Sequence, residues 1–483
     1  MARRRFRPPP ADPRVIAVAI VSVLALPIAT LAAATPREYT PILAATGAAP
    51  VAMMIGMRLP LGVLLTFAMV APPLVQFLVQ GSPEGIPAIS VLPILGVEVV
   101  LLLRGMSNLR YGRRLALVET TFLLAMVYAA AIGLTGAFDR RVWLGEFIET
   151  SNLIVMLWLL RLNRVRFEDL RALVVTGHLF AAPFFAWYLL AHFGEYRLDF
   201  FFGLSTTLVP MTVAVILHGR TALPMRALLL ASCLAMLVAT AVAGIRGTTL
   251  IGLFGTGLVV MFSLRRLSGT TLMVSAVVML TLMFLHPFVI AFAGQVAPEA
   301  VERFRSAADS PTLSVRLLEA RDAVDAFKER PTGHGIGAIL MTRHEIVWGD
   351  TGSTVEYGPT TFVHNSYAWY LAKTGIVGFV ALVLILVSAV VAALRRLPTT
   401  RGGAGLALAL LLAFMTGAWG GPALHSVFST PLLALAIHLA REQDMASTAS
   451  VEPVADRIPV GARRHDPVRP ALTSAMDSGG RDG

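Results

Sequence analysis

Long apolar stretches separated by short, Arg-bearing breaks run along almost the whole chain, and that alternation decides the fold class. Apolar segments fall at roughly 14–34, 41–57, 59–80, 87–103, 115–136, 148–160, 172–192, 200–218, 223–243, 248–264, 270–293, 364–394, 404–419 and 422–439. A helix that crosses a bilayer needs about 17–25 predominantly apolar residues, and these segments recur at that scale. The pattern predicts an all-α integral membrane protein with about 12–14 transmembrane helices. A transmembrane β-barrel would instead show period-two alternation over strands of about ten residues, and the apolar segments carry none.

One connection breaks the rhythm. Between Gly294 and Val363 lies a long polar loop in which Leu313, Leu317, Ala320, Val324 and Phe327 recur at helical spacing. Pro331 and the glycines after it end that helix. The spacing predicts a large folded helical loop docked by its apolar stripe. An even number of spans puts both chain ends on one side of the membrane, and the arginines choose the side. Arg3, Arg4, Arg5 and Arg7 precede the first span, and Arg104, Arg110, Arg113, Arg114, Arg161, Arg164, Arg166 and Arg171 fill alternate short loops. That face is the cytoplasmic one. The expected organisation is a basic cytoplasmic N-terminus (1–13), transmembrane helices (14–293), a large extracytoplasmic loop (294–363), C-terminal transmembrane helices (364–440) and a disordered cytoplasmic tail (441–483). Residues 14–34 are long and lack a cleavage site, so no cleavable signal peptide is expected.

Composition agrees and removes some function classes. The 483 residues are 56% hydrophobic and 14% charged, with a mean hydropathy of +0.72. Soluble domains carry about 25% charged residues. The net charge of +11 and pI near 10.5 would suit a nucleic-acid partner, but the arginines sit in inter-span loops, so none is expected. The lone Cys233 excludes an intramolecular disulfide.

Apart from the large loop, few basic residues fall on the outer face, and together with residues of the loop they carry the candidate chemistry. Arg246 in "AVAGIRGTTLIGL" stands between two spans beside Gly244 and Gly247. It is either an arginine reaching to the interface from a helix end or an anion site. Arg316 flanks the loop helix, where it could be solvated or paired with Glu319 one turn along. His364 opens the next span, with Asn365 or Ser366 as its helix cap. His192, His334 and His425 also fall on this face and read as structural. Taken together, two arginines and a histidine from separate segments describe a phosphate clamp and a general base. Arginine offers phosphate a planar fork of donors, and histidine titrates near neutrality. No Walker A sequence, HExxH, zinc-spaced Cys/His set or acidic metal-binding pair is present. The expectation is metal-free chemistry without a cofactor.

The stretches "AGIRGTTL", "RFRSAADSPTLSVRLLEARDA", "RPTGHGIG" and "VHNSYAWYLAKTGIVGF" together resemble the O-antigen ligase and polymerase superfamily (the Wzy_C type) over about residues 197–380. The resemblance implies a GT-C-like membrane glycosyltransferase of the inner membrane, with the large loop in the periplasm. It implies transfer of a glycan from an undecaprenyl-diphosphate carrier to a sugar hydroxyl, on lipid A-core or another glycan. Arg246 and Arg316 then clamp the diphosphate and His364 activates the acceptor, with Arg197, Arg305, Arg321 and Asn365 as substrate contacts. The sequence departs from the family at Lys373, where many members carry an acidic residue, and at Trp369 and Tyr370, where others are aliphatic. A polymerase shares the same donor chemistry. A transporter or flippase for the lipid-linked glycan is the alternative from another class, with Glu98 and Glu149 as its exceptional intramembrane charges, and a non-catalytic scaffold is a third.

Overall fold

The computed structural model describes residues 55–69, 87–109, 117–135, 140–191, 199–218, 221–242, 246–263, 311–347, 353–361, 363–421, 423–426 and 429–449. Within them the chain forms α1 (Leu61–Met69), α2 (Pro87–Gly105), α3 (Leu117–Thr135), α4 (Arg140–Leu162), α5 (Leu170–Ala191), α6 (Asp199–His218), α7 (Leu223–Val242) and α8 (Arg246–Ser263). The loop helix α9 (Pro311–Glu329) and strands β1 (Leu340–Val347) and β2 (Ser353–Thr360) follow, then α10 (Ser366–Arg396), α11 (Arg401–Gly417) and α12 (Thr430–Ala449). The expected N-terminus 1–13, the spans at 14–34 and 270–293, and the tail from 450 lie outside the described residues. Among the described residues, four helical stretches are long and apolar enough to cross a membrane: Leu117–Thr135, Val142–Leu162, Leu223–Thr240 and Ser366–Arg396. The protein is a mainly helical membrane protein.

Helix ends follow the polar residues more closely than hydropathy does. The last helix starts at Thr430 rather than near 422, and it continues to Ala449, past the residue 441 where a disordered tail was expected. On the face where the arginines gather, Glu119 of α3 is fully buried and accepts from Arg161 of α4 and from Arg441. A carboxylate removed from water needs its full set of donors, and the two guanidinium groups supply it.

The large loop is not wholly helical. β1 and β2 form a two-stranded antiparallel hairpin in which Arg343 faces Tyr357 and His344 faces Glu356. Its first strand alternates in burial, with Leu340 and Thr342 buried and Met341 exposed, the period-two signature of one covered face. Helix α9 covers that face, but not by the apolar stripe alone. Leu317 is 63% exposed, whereas Val315, Glu319, Asp322 and Ala323 are buried. Two acidic residues occupy the buried side because each meets a specific partner. Asp322 takes Arg343 through Nε at 3.0 Å, Nη2 at 2.5 Å and the backbone N–H at 2.8 Å.

That fork holds the Asp322 carboxyl below the usual carboxylate range, chiefly through the side-chain hydrogen bond from Arg343. A depressed folded-state pKa stabilises above the unfolded value, about 3.9 for Asp, and the contribution is lost as pH falls below it. Hydrogen-exchange protection of residues 340–347 is therefore expected to fall as pH drops below about 4. Asp322→Asn should lower protection at neutral pH and abolish that acid step. An unaltered protein whose protection here responds to acid no differently from Asp322→Asn would contradict the anchor.

The long helix α10 is broken where the loop enters it. Gly375 has φ 68° and ψ −173°, which releases the carbonyls of Ala372 and Lys373 from the helical ladder. His334 N–H donates to Ala372 at 2.8 Å and Gly335 N–H to Lys373 at 2.9 Å, while Ile376 N–H turns to Pro331 at 3.1 Å. The loop segment thus replaces the helix's own partners, as buried backbone groups require. A Cβ on Gly335 would fall 2.3 Å from the Gly133 backbone nitrogen, and one on Gly375 2.4 Å from Thr332. The glycines permit the insertion. Lys373, fully buried, locks it by bonding Glu146 of α4 at 3.1 and 3.3 Å and the Ala338 carbonyl. The same Glu146 accepts the Gly337 N–H at 2.5 Å. Lys373 is therefore half of a buried ion pair joining loop, α4 and α10.

Candidate active site

The site is built around the turn at residues 418–421, which follows the end of α11. The last carbonyls of a helix lack partners within it, and here α10 and α9 supply some of them. Tyr367 Oη donates to Met415 O at 2.9 Å, and Ser366 N–H to Ala418 O at 2.9 Å. Asn365 Nδ2 donates to Trp419 O at 3.1 Å, and Ser366 Oγ to Gly421 O at 2.9 Å. From α9, Arg316 Nη1 donates to Gly420 O at 2.6 Å. Four consecutive carbonyls thereby draw the loop helix and the start of α10 to one point.

Asn365 is the N-cap of α10, its Oδ1 accepting from the Ala368 N–H at 3.0 Å. A cap of this kind is worth about 1 kcal/mol. With Nδ2 also engaged, Asn365 fixes the backbone that carries His364. The imidazole of His364 is 39% exposed, and its Nδ1 lies 2.8 Å from Glu319 Oε2. The same oxygen accepts the His364 backbone N–H at 3.0 Å. Glu319 itself is buried. The helix-turn pairing of Glu319 with Arg316 that sequence spacing allowed is replaced by this contact with His364, because the two carboxylate bonds converge on a residue brought in by tertiary packing.

Arg316 is partly buried, and its Nε has no hydrogen-bond partner among the described residues. A buried guanidinium nitrogen left unpaired is costly, so this donor suits an acceptor that arrives with substrate. Arg246 is the first residue of α8. Gly417, the last residue of α11, packs against Ile251 of the same helix, so the start of α8 stands at the end of the assembly where the 418–421 turn lies. Arg321 is exposed on α9. Arg197 and Arg305 lie outside the described residues. The structure thus brings Arg316 and Asn365, the neighbour of His364, to one turn, puts the backbone of Arg246 at the same end, and adds Glu319, which contacts His364 and which sequence reasoning weighed only as a partner for arginine.

The other histidines have packing roles where they are described. His334 Nε2 lies 2.8 Å from the Ala326 carbonyl. His425 stacks on Trp369, centroids 4.4 Å apart and planes 6° apart, with Tyr370 edge-on at 6.2 Å. Trp369 and Tyr370 are therefore the walls of a buried histidine.

Residues 227–383 match the sequence profile of the O-antigen ligase family, Wzy_C. That span contains Arg246, Arg316, Glu319, His364 and Lys373 and confirms the resemblance to the O-antigen ligase superfamily. No curated protein sequence matches the chain significantly.

Proposed function

We propose that this member of the O-antigen ligase superfamily, matched over residues 227–383, is a metal-independent glycosyltransferase acting at the periplasmic face of the bacterial inner membrane. Membership supports a membrane glycosyltransferase using lipid-linked glycans in general. The finer reading is an O-antigen ligase, which moves a finished glycan from undecaprenyl diphosphate to a hydroxyl of lipid A-core. The observation that carries it is the meeting of α9 and the start of α10 at the 418–421 turn, where Arg316 bonds Gly420 and Asn365 bonds Trp419, while His364 is held to Glu319 of α9.

In this reading the acceptor hydroxyl gives its proton to His364 while its oxygen bonds to the anomeric carbon. The bond from that carbon to the diphosphate oxygen breaks, and the electron pair leaves with the diphosphate. Arg316 and Arg246 stabilise the negative charge as it grows, in the place a metal ion would otherwise hold. Both termini lie in the cytoplasm, and the chain has about 12–14 spans in a GT-C-like arrangement. Residues 14–293 and 364–440 form the membrane part around the 294–363 loop.

Glycolipids from a deletion strain test the choice of acceptor. A ligase predicts full-length polymer stranded on the undecaprenyl carrier, with lipid A-core left bare. Unextended single repeats on the carrier would contradict that and make the protein a polymerase.

A further inference from the structure

Glu319 is the one buried carboxylate of α9 that touches the proposed base, and its geometry goes beyond packing. One oxygen, Oε2, accepts from two donors of the same residue, His364 Nδ1 at 2.8 Å and His364 N–H at 3.0 Å. The backbone bond fixes where the Cα of His364 sits, and the ring bond fixes the rotation of the imidazole. Arg316 stands one helical turn earlier on α9 and is held to Gly420. The helix that carries Arg316, the proposed diphosphate clamp, therefore also carries the carboxylate that meets the histidine.

We infer that Glu319 is a positioning residue that holds His364 with its proton on Nδ1, so that Nε2 is the nitrogen that takes the acceptor's proton. This rests on the reading of His364 as general base. A carboxylate only accepts, so the Nδ1 beside it carries the hydrogen, and a neutral imidazole then has its basic lone pair on Nε2. When Nε2 takes the hydroxyl proton, the ring becomes a cation 2.8 Å from the Glu319 carboxylate, which offsets the new charge. No atom of Glu319 exchanges a proton with substrate. The carboxylate plays the part that buried acids play behind catalytic histidines on unrelated folds.

A shared-helix arrangement also couples the two halves of the reaction. A shift of α9 that moves Arg316 towards a bound diphosphate moves Glu319, and with it the imidazole. A purely structural buried acid would need no such match between ring nitrogen and carboxylate.

The test uses the full-length purified chain in detergent, with undecaprenyl-diphosphate glycan as donor and undecaprenyl diphosphate as binding probe. Glu319→Gln keeps shape and burial but is a neutral amide. It is expected to lower kcat by about 10²-fold, the low end of what general-base participation contributes, with acceptor KM and probe affinity changed less than about threefold. Glu319→Asp, which keeps the charge, is expected to recover part of that loss. Nitrogen-15 spectra of histidine-labelled protein, with the His364 signals assigned by their loss in His364→Gln, should show a protonated Nδ1 that becomes a mixture of tautomers in Glu319→Gln. If Glu319→Gln stays within about threefold of the unaltered rate while His364→Ala is inactive, the positioning role falls and the base stands. If Glu319→Asp is no better than Glu319→Gln and both lose the probe, the residue is only structural and the inference is overturned. If His364→Ala itself transfers normally, the reading beneath it fails.

Discussion

Replacing His364 with alanine is expected to slow glycosyl transfer by about 10²- to 10⁴-fold, the range assigned to a positioned general base, while leaving expression and diphosphate binding intact. The expectation follows from where the side chain sits. His364 precedes the Asn365 cap, so its imidazole projects from the start of α10 without being part of the helix. Helix formation does not need it, because Asn365, Ser366 and Tyr367 hold that end to the 415–421 segment. Alanine there removes a reactive nitrogen and the ring's contact with Glu319, keeps the backbone N–H bond to the same carboxylate and leaves the frame in place. Transfer kinetics and undecaprenyl-diphosphate binding, measured on the same preparation, check both halves. An unchanged rate with good folding would remove His364 from the mechanism.

The second large effect is on stability. Lys373→Met should destabilise the protein by about 3–5 kcal/mol, the cost of removing one partner of a buried ion pair. The side chain of Lys373 is fully buried, so the Glu146 charge left behind has no solvent to turn to. It would keep only the Gly337 N–H of the contacts described above. The double variant Lys373→Met/Glu146→Gln should recover most of the loss, since a neutral amide still accepts from Gly337 and no bare charge remains. Lys373→Glu alone should be worse than Met, as it sets two carboxylates together, and Lys373→Glu/Glu146→Lys should partly restore stability. Thermal unfolding in detergent reads all five proteins. Local exchange at residues 333–338 should rise first in the single variants, because the pair holds that loop in the α10 break. A loss below about 1 kcal/mol for Lys373→Met would contradict the account.

How much of this was written in the sequence depends on the range of the interaction. Apolar segments marked most of the described helices, four of which are long and apolar enough to cross a membrane, and "HNSYAWY" gave the cap at Asn365, since both are signals carried within a few residues. The helix in the large loop was legible from its period and from Pro331. Which side of it is buried was not. Hydrophobicity nominated Leu317, which is exposed, whereas Glu319 and Asp322 are buried beside Val315 and Ala323 because His364 and Arg343 pair with them. The hairpin escaped notice for a similar reason, as strands β1 and β2 gain their covered face only when α9 lies on it. Lys373 looked unexplained next to its neighbours, and its partner Glu146 lies on another helix far back in the chain. The positive φ of Gly335 and Gly375 was equally hidden, since it is imposed by Gly133 and Thr332 across the fold. The site followed the same division. Arg316 and His364 were nominated by residue type and order, whereas Glu319 as the orienting partner required the tertiary contact.

The most direct measurement is transfer by the purified full-length chain in liposomes, supplied with undecaprenyl-diphosphate glycan and a hydroxyl acceptor in the presence of a metal chelator. The account predicts equal amounts of glycosylated acceptor and released undecaprenyl diphosphate, with both lost in His364→Ala. Movement of the intact donor across the bilayer, with no new glycosidic bond, would contradict it.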